Sequence, residues 1–269
     1  MALWVADESA GLIFKGRTLC ASPVALCACG ATVACAQMQQ ALLFSTDTGQ
    51  ELARFSLPPG VCRMCALPGA LYCVSAEADS LSLFCPRTGQ LRLCAQAGCY
   101  PRDLQISPCR RYLAVAGGAS GEMYVYRAED LTLLRRIQLP GVVYAAAFAG
   151  TQVLALCAVE DNSMQSLLYR ISVRGVTEEI SRFPGLPGAL LSLPDGSVLV
   201  SVQGALIRLR RDNRILQRIP SALCSSLRLY PSFVLAADPL AGNVLRIFLS
   251  CAAPQTLYRG ASPADMLLI

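Results

Sequence analysis

The stretch Tyr100-Pro-Arg-Asp-Leu-Gln-Ile-Ser-Pro-Cys-Arg-Arg-Tyr-Leu-Ala-Val-Ala116, continuing through Gly117-Gly-Ala-Ser-Gly-Glu122 to Met123-Tyr-Val-Tyr126, decides the fold. Short apolar runs alternate with breaks rich in Pro, Gly and Ser. A turn at Ala128-Glu-Asp130 then leads into Leu131-Thr-Leu-Leu-Arg-Arg-Ile137. The unit reads as four short strands, a to d, joined by three turns.

The same order recurs along the chain. The a–b corner returns as Ala66-Leu-Pro-Gly69, Leu193-Pro-Asp-Gly196 and Tyr230-Pro-Ser232, followed by apolar runs such as Leu71-Tyr-Cys-Val74 and Phe233-Val-Leu235. The c–d hairpin returns as Leu42-Leu-Phe-Ser-Thr-Asp-Thr-Gly49 and Leu81-Ser-Leu-Phe-Cys-Pro-Arg-Thr-Gly89, whose Thr-Gly turns lie about 40 residues apart. Six complete units follow: 24–60, 61–101, 102–141, 142–188, 189–222 and 223–263.

The leftovers make one more. Ala264-Asp-Met-Leu-Leu-Ile269 matches strand a, while Ala2–Ala6, Gly11–Phe14 and Thr18–Ala21 supply b, c and d. The expected fold is all-β: a seven-bladed β-propeller of four-stranded antiparallel blades, one domain over 1–269. Pairing the last strand with the first ones closes the ring and removes the open edges.

Pro101-Arg-Asp-Leu-Gln-Ile-Ser-Pro108 through Met123-Tyr-Val-Tyr126 resembles the YVTN-type propeller repeat: Pro, an apolar strand, Ser-Pro-Asp-Gly, then a Val-rich strand. The units also resemble WD-type repeats, without their Trp-Asp or Gly-His signatures. The resemblance implies the lactonase-like superfamily, whose members include lactone hydrolases and proteins with no known chemistry. It therefore implies a fold and no single activity.

Composition excludes several classes. Hydrophobic residues make up 54% and charged residues 15%, too apolar for disorder. Histidine is absent, which removes Ser-His-Asp and Cys-His catalysis and imidazole metal sites from this chain. A formal charge of +5 is modest, and the basic run Arg208-Leu-Arg-Arg-Asp-Asn-Arg214 has no interleaved aromatics, so nucleic acid is not expected. Arg208 and Arg210 are read on one face of a hairpin strand, their charge guarding an exposed edge.

The uncharged stretches 18–46 and 138–159 contain Pro and Gly and read as paired strands turning at Gly30 and Gly150, so no membrane span is expected. Met1-Ala-Leu-Trp-Val-Ala-Asp-Glu8 lacks a basic start, and most cysteines replace Ala or Val in apolar runs. Free thiols in a reducing cytoplasm are expected. Cys62-Arg-Met-Cys65 is a lone CxxC whose sulfurs, three apart on a strand, are expected on opposite faces.

Strand a starts on the face that carries the b–c and d–a connections and lines the central channel. Alignment places Arg63, Asp103, Tyr144, Ser226 and Asp265 there. The b–c connections add Asp7, Glu8, Glu77, Asp79, Glu122, Glu160, Asp161 and Asp238. The candidate ligand site is the channel mouth with Arg63, Asp103, Glu122, Tyr144 and Asp265; its carboxylates suit Ca2+ or Mg2+. The same residues also suit a solvated acidic rim with Arg63 and Asp103 paired between blades.

The expected function is a non-catalytic, soluble and monomeric propeller that binds a protein or small molecule. The alternative is a lactonase-like hydrolase using a carboxylate-bound divalent metal in the channel. Mass spectrometry after alkylation under denaturing, non-reducing conditions should count all 14 cysteines as free, whereas a shortfall would show disulfides and a different compartment.

Overall fold

Strand b shows why the runs are apolar throughout rather than alternating. Each blade of a propeller is covered on both faces by its neighbours, so a central strand needs apolar side chains on both. Val198–Val202 and Phe233–Asp238 are buried along their whole lengths. Strand d forms the outer edge instead, and Glu51–Ser56 and Leu91–Gln96 are mostly exposed.

The computed structural model describes residues 2–250 and 253–269, and in these 28 strands form seven four-stranded antiparallel sheets. Blades 1 to 6 use consecutive strands, from Pro23–Cys29 as strand a of blade 1 to Gln255–Arg259 as strand d of blade 6. No helix long and apolar enough to cross a membrane occurs among the described residues.

Blade 7 joins the two chain ends. Its strand a, Pro263–Leu268, pairs with Leu3–Asp7, which pairs in turn with Gly11–Phe14 and then Arg17–Thr18. Met266 lies opposite Val5, and Leu267 opposite Trp4. Met266 and Leu268 pack toward blade 6 with Phe233 and Leu235. Leu267 and Ile269 pack toward blade 1 with Leu26 and Leu42. The alternation read from the sequence thus matches the two neighbouring blades.

Three strands begin one or two residues earlier than expected, at Pro23, Pro187 and Pro263. Proline serves at the first position of a strand, where its missing N–H costs the ladder nothing. A β-bulge also recurs in strand a. In blade 2 the register shifts between Val61 and Arg63, and in blade 4 between Val143 and Ala145.

The bulge corrects the reading of the CxxC. The extra residue restores parity, so Cys62 and Cys65 both pack against the core shared by blades 2 and 3. Burial raises both thiols, away from the thiolate form. The 13 described cysteines are all free, and Cys251 lies outside the described residues. Cys94, Cys99 and Cys109 are exposed, unlike the strand-core cysteines.

Two a–b corners fill the same turn position differently. The a–b turn of blade 5 runs Leu193-Pro-Asp-Gly196, closed by the Gly196 N–H on Leu193 O at 3.0 Å, with Gly196 at φ +80°. Blade 3 builds the same turn as Ser107-Pro-Cys-Arg110, closed at 2.8 Å, with Arg110 at φ +61°. A bulky residue in this left-handed region costs about 1 kcal/mol relative to glycine.

Truncation after Pro263 tests the closure. Met266 and Leu267 are 0% and 7% exposed, and each such side chain contributes about 1.5–3 kcal/mol. Loss of the innermost strand of blade 7 should give insoluble or partly unfolded protein. A truncated chain that melts like the full-length one would show that the ring does not depend on this pairing.

Candidate functional site

The residues that converge at the channel mouth are Arg63, Asp103, Tyr144 and Ser226, together with Gln105, Ser225 and Arg228. They surround a cavity of about 50 Å³. Tyr144 reaches it because it is the bulged residue of its strand. The Arg102 guanidinium stacks on the Tyr144 ring at 4.2 Å, covering its face.

Asp103 joins three blades. Its Oδ2 accepts the Ala146 N–H of blade 4 at 3.0 Å, and its Oδ1 lies 3.6 Å from Arg63 Nε of blade 2. Gln105 Nε2 donates to both carboxylate oxygens at 3.2 and 3.3 Å. Arg63 then crosses the channel, where its Nη2 donates to Ser225 O of blade 6. The cation therefore fills the mouth and ties its opposite walls.

Asp265 makes the same arrangement at the ring closure. Its Oδ2 accepts the Leu26 N–H of blade 1 at 2.9 Å and Arg228 Nη2 of blade 6 at 2.8 Å. Its Oδ1 accepts the Ser226 hydroxyl at 2.6 Å and the Met266 N–H at 2.9 Å. The carboxyl is fully buried and does not line the cavity. Burial alone would raise its pKa, but the guanidiniums of Arg228 and Arg63 and these hydrogen bonds hold it below the ordinary range.

Glu122 does not join them. It sits at the start of strand c in blade 3, where it bonds Arg136 of strand d at 2.5 Å and the Tyr124 hydroxyl. Strand c is two strands out from the channel, which the proximity of Glu122 to Asp103 in sequence conceals. Arg208 also differs from the reading. It is 8% exposed within strand c of blade 5, donating to Asp195 Oδ2 at 2.6 Å and Leu249 O at 2.9 Å. Arg210 and Arg214 are exposed, each 3.9 Å from Asp212.

The acidic rim is divided between solvent and structure. Asp7 is buried and accepts the Ser9 and Ala10 N–H groups at 3.0 and 2.9 Å, the Tyr258 hydroxyl at 3.0 Å and the Ser262 N–H. Asp238 is its counterpart in blade 6, accepting the Ala222 and Leu223 N–H groups at 2.7 and 3.2 Å. Both hold the connection arriving from the preceding blade. Glu8, Glu77, Glu160 and Asp161 are exposed. The shared ending of Trp4-Val-Ala-Asp7 and Leu235-Ala-Ala-Asp238 is the signal that could have separated these two. No comparable signal announced Arg228, whose partners are far away in sequence.

No sequence family matches the chain, nor does any curated protein sequence. Solved structures match in fold. One is a candidate 6-phosphogluconolactonase from Bacteroides uniformis, with 12% identity and a TM-score of 0.73 over 100% of this chain and 99% of that one. A protein from Lactobacillus plantarum aligns with 13% identity and a TM-score of 0.74 over 98% and 97%. The WD40 repeats of RRP9 align with 14% identity and a TM-score of 0.71 over 88% and 83%. At such identities the shared property is the seven-bladed propeller.

The depressed Asp265 carboxyl makes stability acid-sensitive with a defined sign. Its contribution is fully present above the unfolded value of about 3.9 and is lost as pH falls through the lower folded value. Urea unfolding from pH 6 down to pH 2 should show a steeper acid loss in the native protein than in Asp265→Asn. Parallel curves for the two proteins would remove Asp265 from the acid response.

Proposed function

We propose that this protein is a non-catalytic β-propeller that binds other proteins through its outer faces. The observation that supports this reading is the saturation of the two channel carboxylates. Both oxygens of Asp103 and of Asp265 are occupied by backbone N–H groups, a hydroxyl, an amide and guanidiniums of the same ring. A cavity of about 50 Å³ remains, room for a water or two rather than a sugar lactone. Carboxylates that bind a substrate metal need free oxygens facing solvent. These instead fasten blades.

The lactonase-like alternative predicts the opposite behaviour, and metal titration separates the two. A cation at a hundred times its Kd would stabilise the fold by about 2.7 kcal/mol, several degrees in melting temperature. Thermal scans with Ca2+, Mg2+ and Mn2+ should show no such shift, and a sugar δ-lactone should open at the uncatalysed rate. A metal-dependent shift abolished in Asp103→Asn, with lactone hydrolysis, would replace the binding reading by the hydrolase.

A further inference from the structure

The face opposite the acidic loops carries the a–b and c–d turns, and across blades 1 to 3 it is hollowed. Hollows of about 490, 460 and 570 Å³ adjoin one another, and Leu67 lines all of them. Pro68 floors the first two. Along the rim stand Arg87, Arg110, Arg111 and Arg127, against one carboxylate, Glu129. Arg127 is paired with Asp130 at 2.9 Å. Arg87, Arg110 and Arg111 are exposed, with no carboxylate partner among the described residues.

The corner at Arg110 also permits a clean substitution. The corner of blade 3 keeps Arg110 at φ +61° where blade 5 has Gly196 at φ +80° in the same turn. Glycine would relax that corner, so Arg110→Gly removes the guanidinium without a cost to the fold. Arg110 lines two of the hollows, as Leu67 does.

We propose that this arc is a docking groove for an extended acidic peptide segment of a partner protein, with Arg110 as its central contact. The proposal rests on the binding reading above and names its surface and partner class. Apolar side chains of the peptide would seat on Leu67 and Pro68, while its carboxylates pair with Arg87, Arg110 and Arg111. The charge match is local to the arc, where the exposed guanidiniums of Arg87, Arg110 and Arg111 meet a single lining carboxylate, Glu129, and so favour an anionic partner.

A nucleic-acid strand fits less well, because it needs exposed rings on which bases can stack. The Tyr72 ring in the groove is buried, with its hydroxyl bonded to Ala128 O at 2.9 Å. Tyr112 is half-buried beneath Arg111, whose guanidinium lies 5.9 Å from its ring.

Fluorescence anisotropy on the full chain tests this with a fluorescein-labelled peptide of alternating Glu and Leu. Its Lys–Leu counterpart and single-stranded oligouridine serve as competitors. Saturable binding that weakens with salt is expected. Arg110→Gly should bind the Glu–Leu peptide about tenfold more weakly while melting about 2 °C higher. Arg210→Glu, on blade 5, should bind as the native chain does. Absence of saturable binding, equal affinity in Arg110→Gly, or stronger competition by oligouridine than by unlabelled Glu–Leu peptide would each overturn the groove. None of these outcomes bears on the metal and lactone titration, so the groove and the binding reading fail separately.

Discussion

The Asp265 carboxylate is the interaction on which the ring depends. It sits on the last strand of the chain and accepts from Leu26 in blade 1, Ser226 and Arg228 in blade 6, and its own neighbour Met266. Three blades therefore meet at one buried group. A buried charge with every lone pair engaged is tolerable, while the same charge with a partner removed costs about 3–5 kcal/mol. The last strand thus becomes a specific part, held by more than apolar contact. Asp7 repeats the principle from the other chain end, receiving Tyr258 and Ser262.

The same economy explains where function is left. Seven inner strands crowd around a narrow axis, and their polar groups must find partners or lose free energy. Arg63 and Asp103 find each other, Ser225 and Ala146 across blades 2, 3, 4 and 6. Once the axial carboxylates are satisfied internally, a partner meets only the faces and the outer edge. One face is acidic at its loops, and the other carries a basic rim over apolar hollows.

The propeller itself was legible because its signals are local and repeated. Turn residues such as Leu193-Pro-Asp-Gly196 and doubly buried runs such as Phe233-Val-Leu235 need only their own neighbours to be understood. The leftover segments at the two ends completed a blade, and the alternation of Met266 and Leu267 fixed its two sides. The site was legible in part. Arg63, Asp103 and Tyr144 do share the mouth, and the pairing of Arg63 with Asp103 is present. Glu122, two strands away, and Arg208, paired inside a blade, needed a third dimension. So did the bulge at Cys62, which reverses a parity argument that holds for regular strands.

A double-mutant cycle on Arg228 and Asp265 reaches the centre of this account. Arg228→Gln, Asp265→Asn and the double variant would be compared by urea unfolding at neutral pH. Each single change should destabilise strongly, and the double should cost less than their sum by about 2 kcal/mol, because it leaves no buried charge unpaired. Additive losses, or an Asp265→Asn protein more stable than the native one, would contradict it. Either result would show that the ring does not depend on the pairing of Arg228 with Asp265.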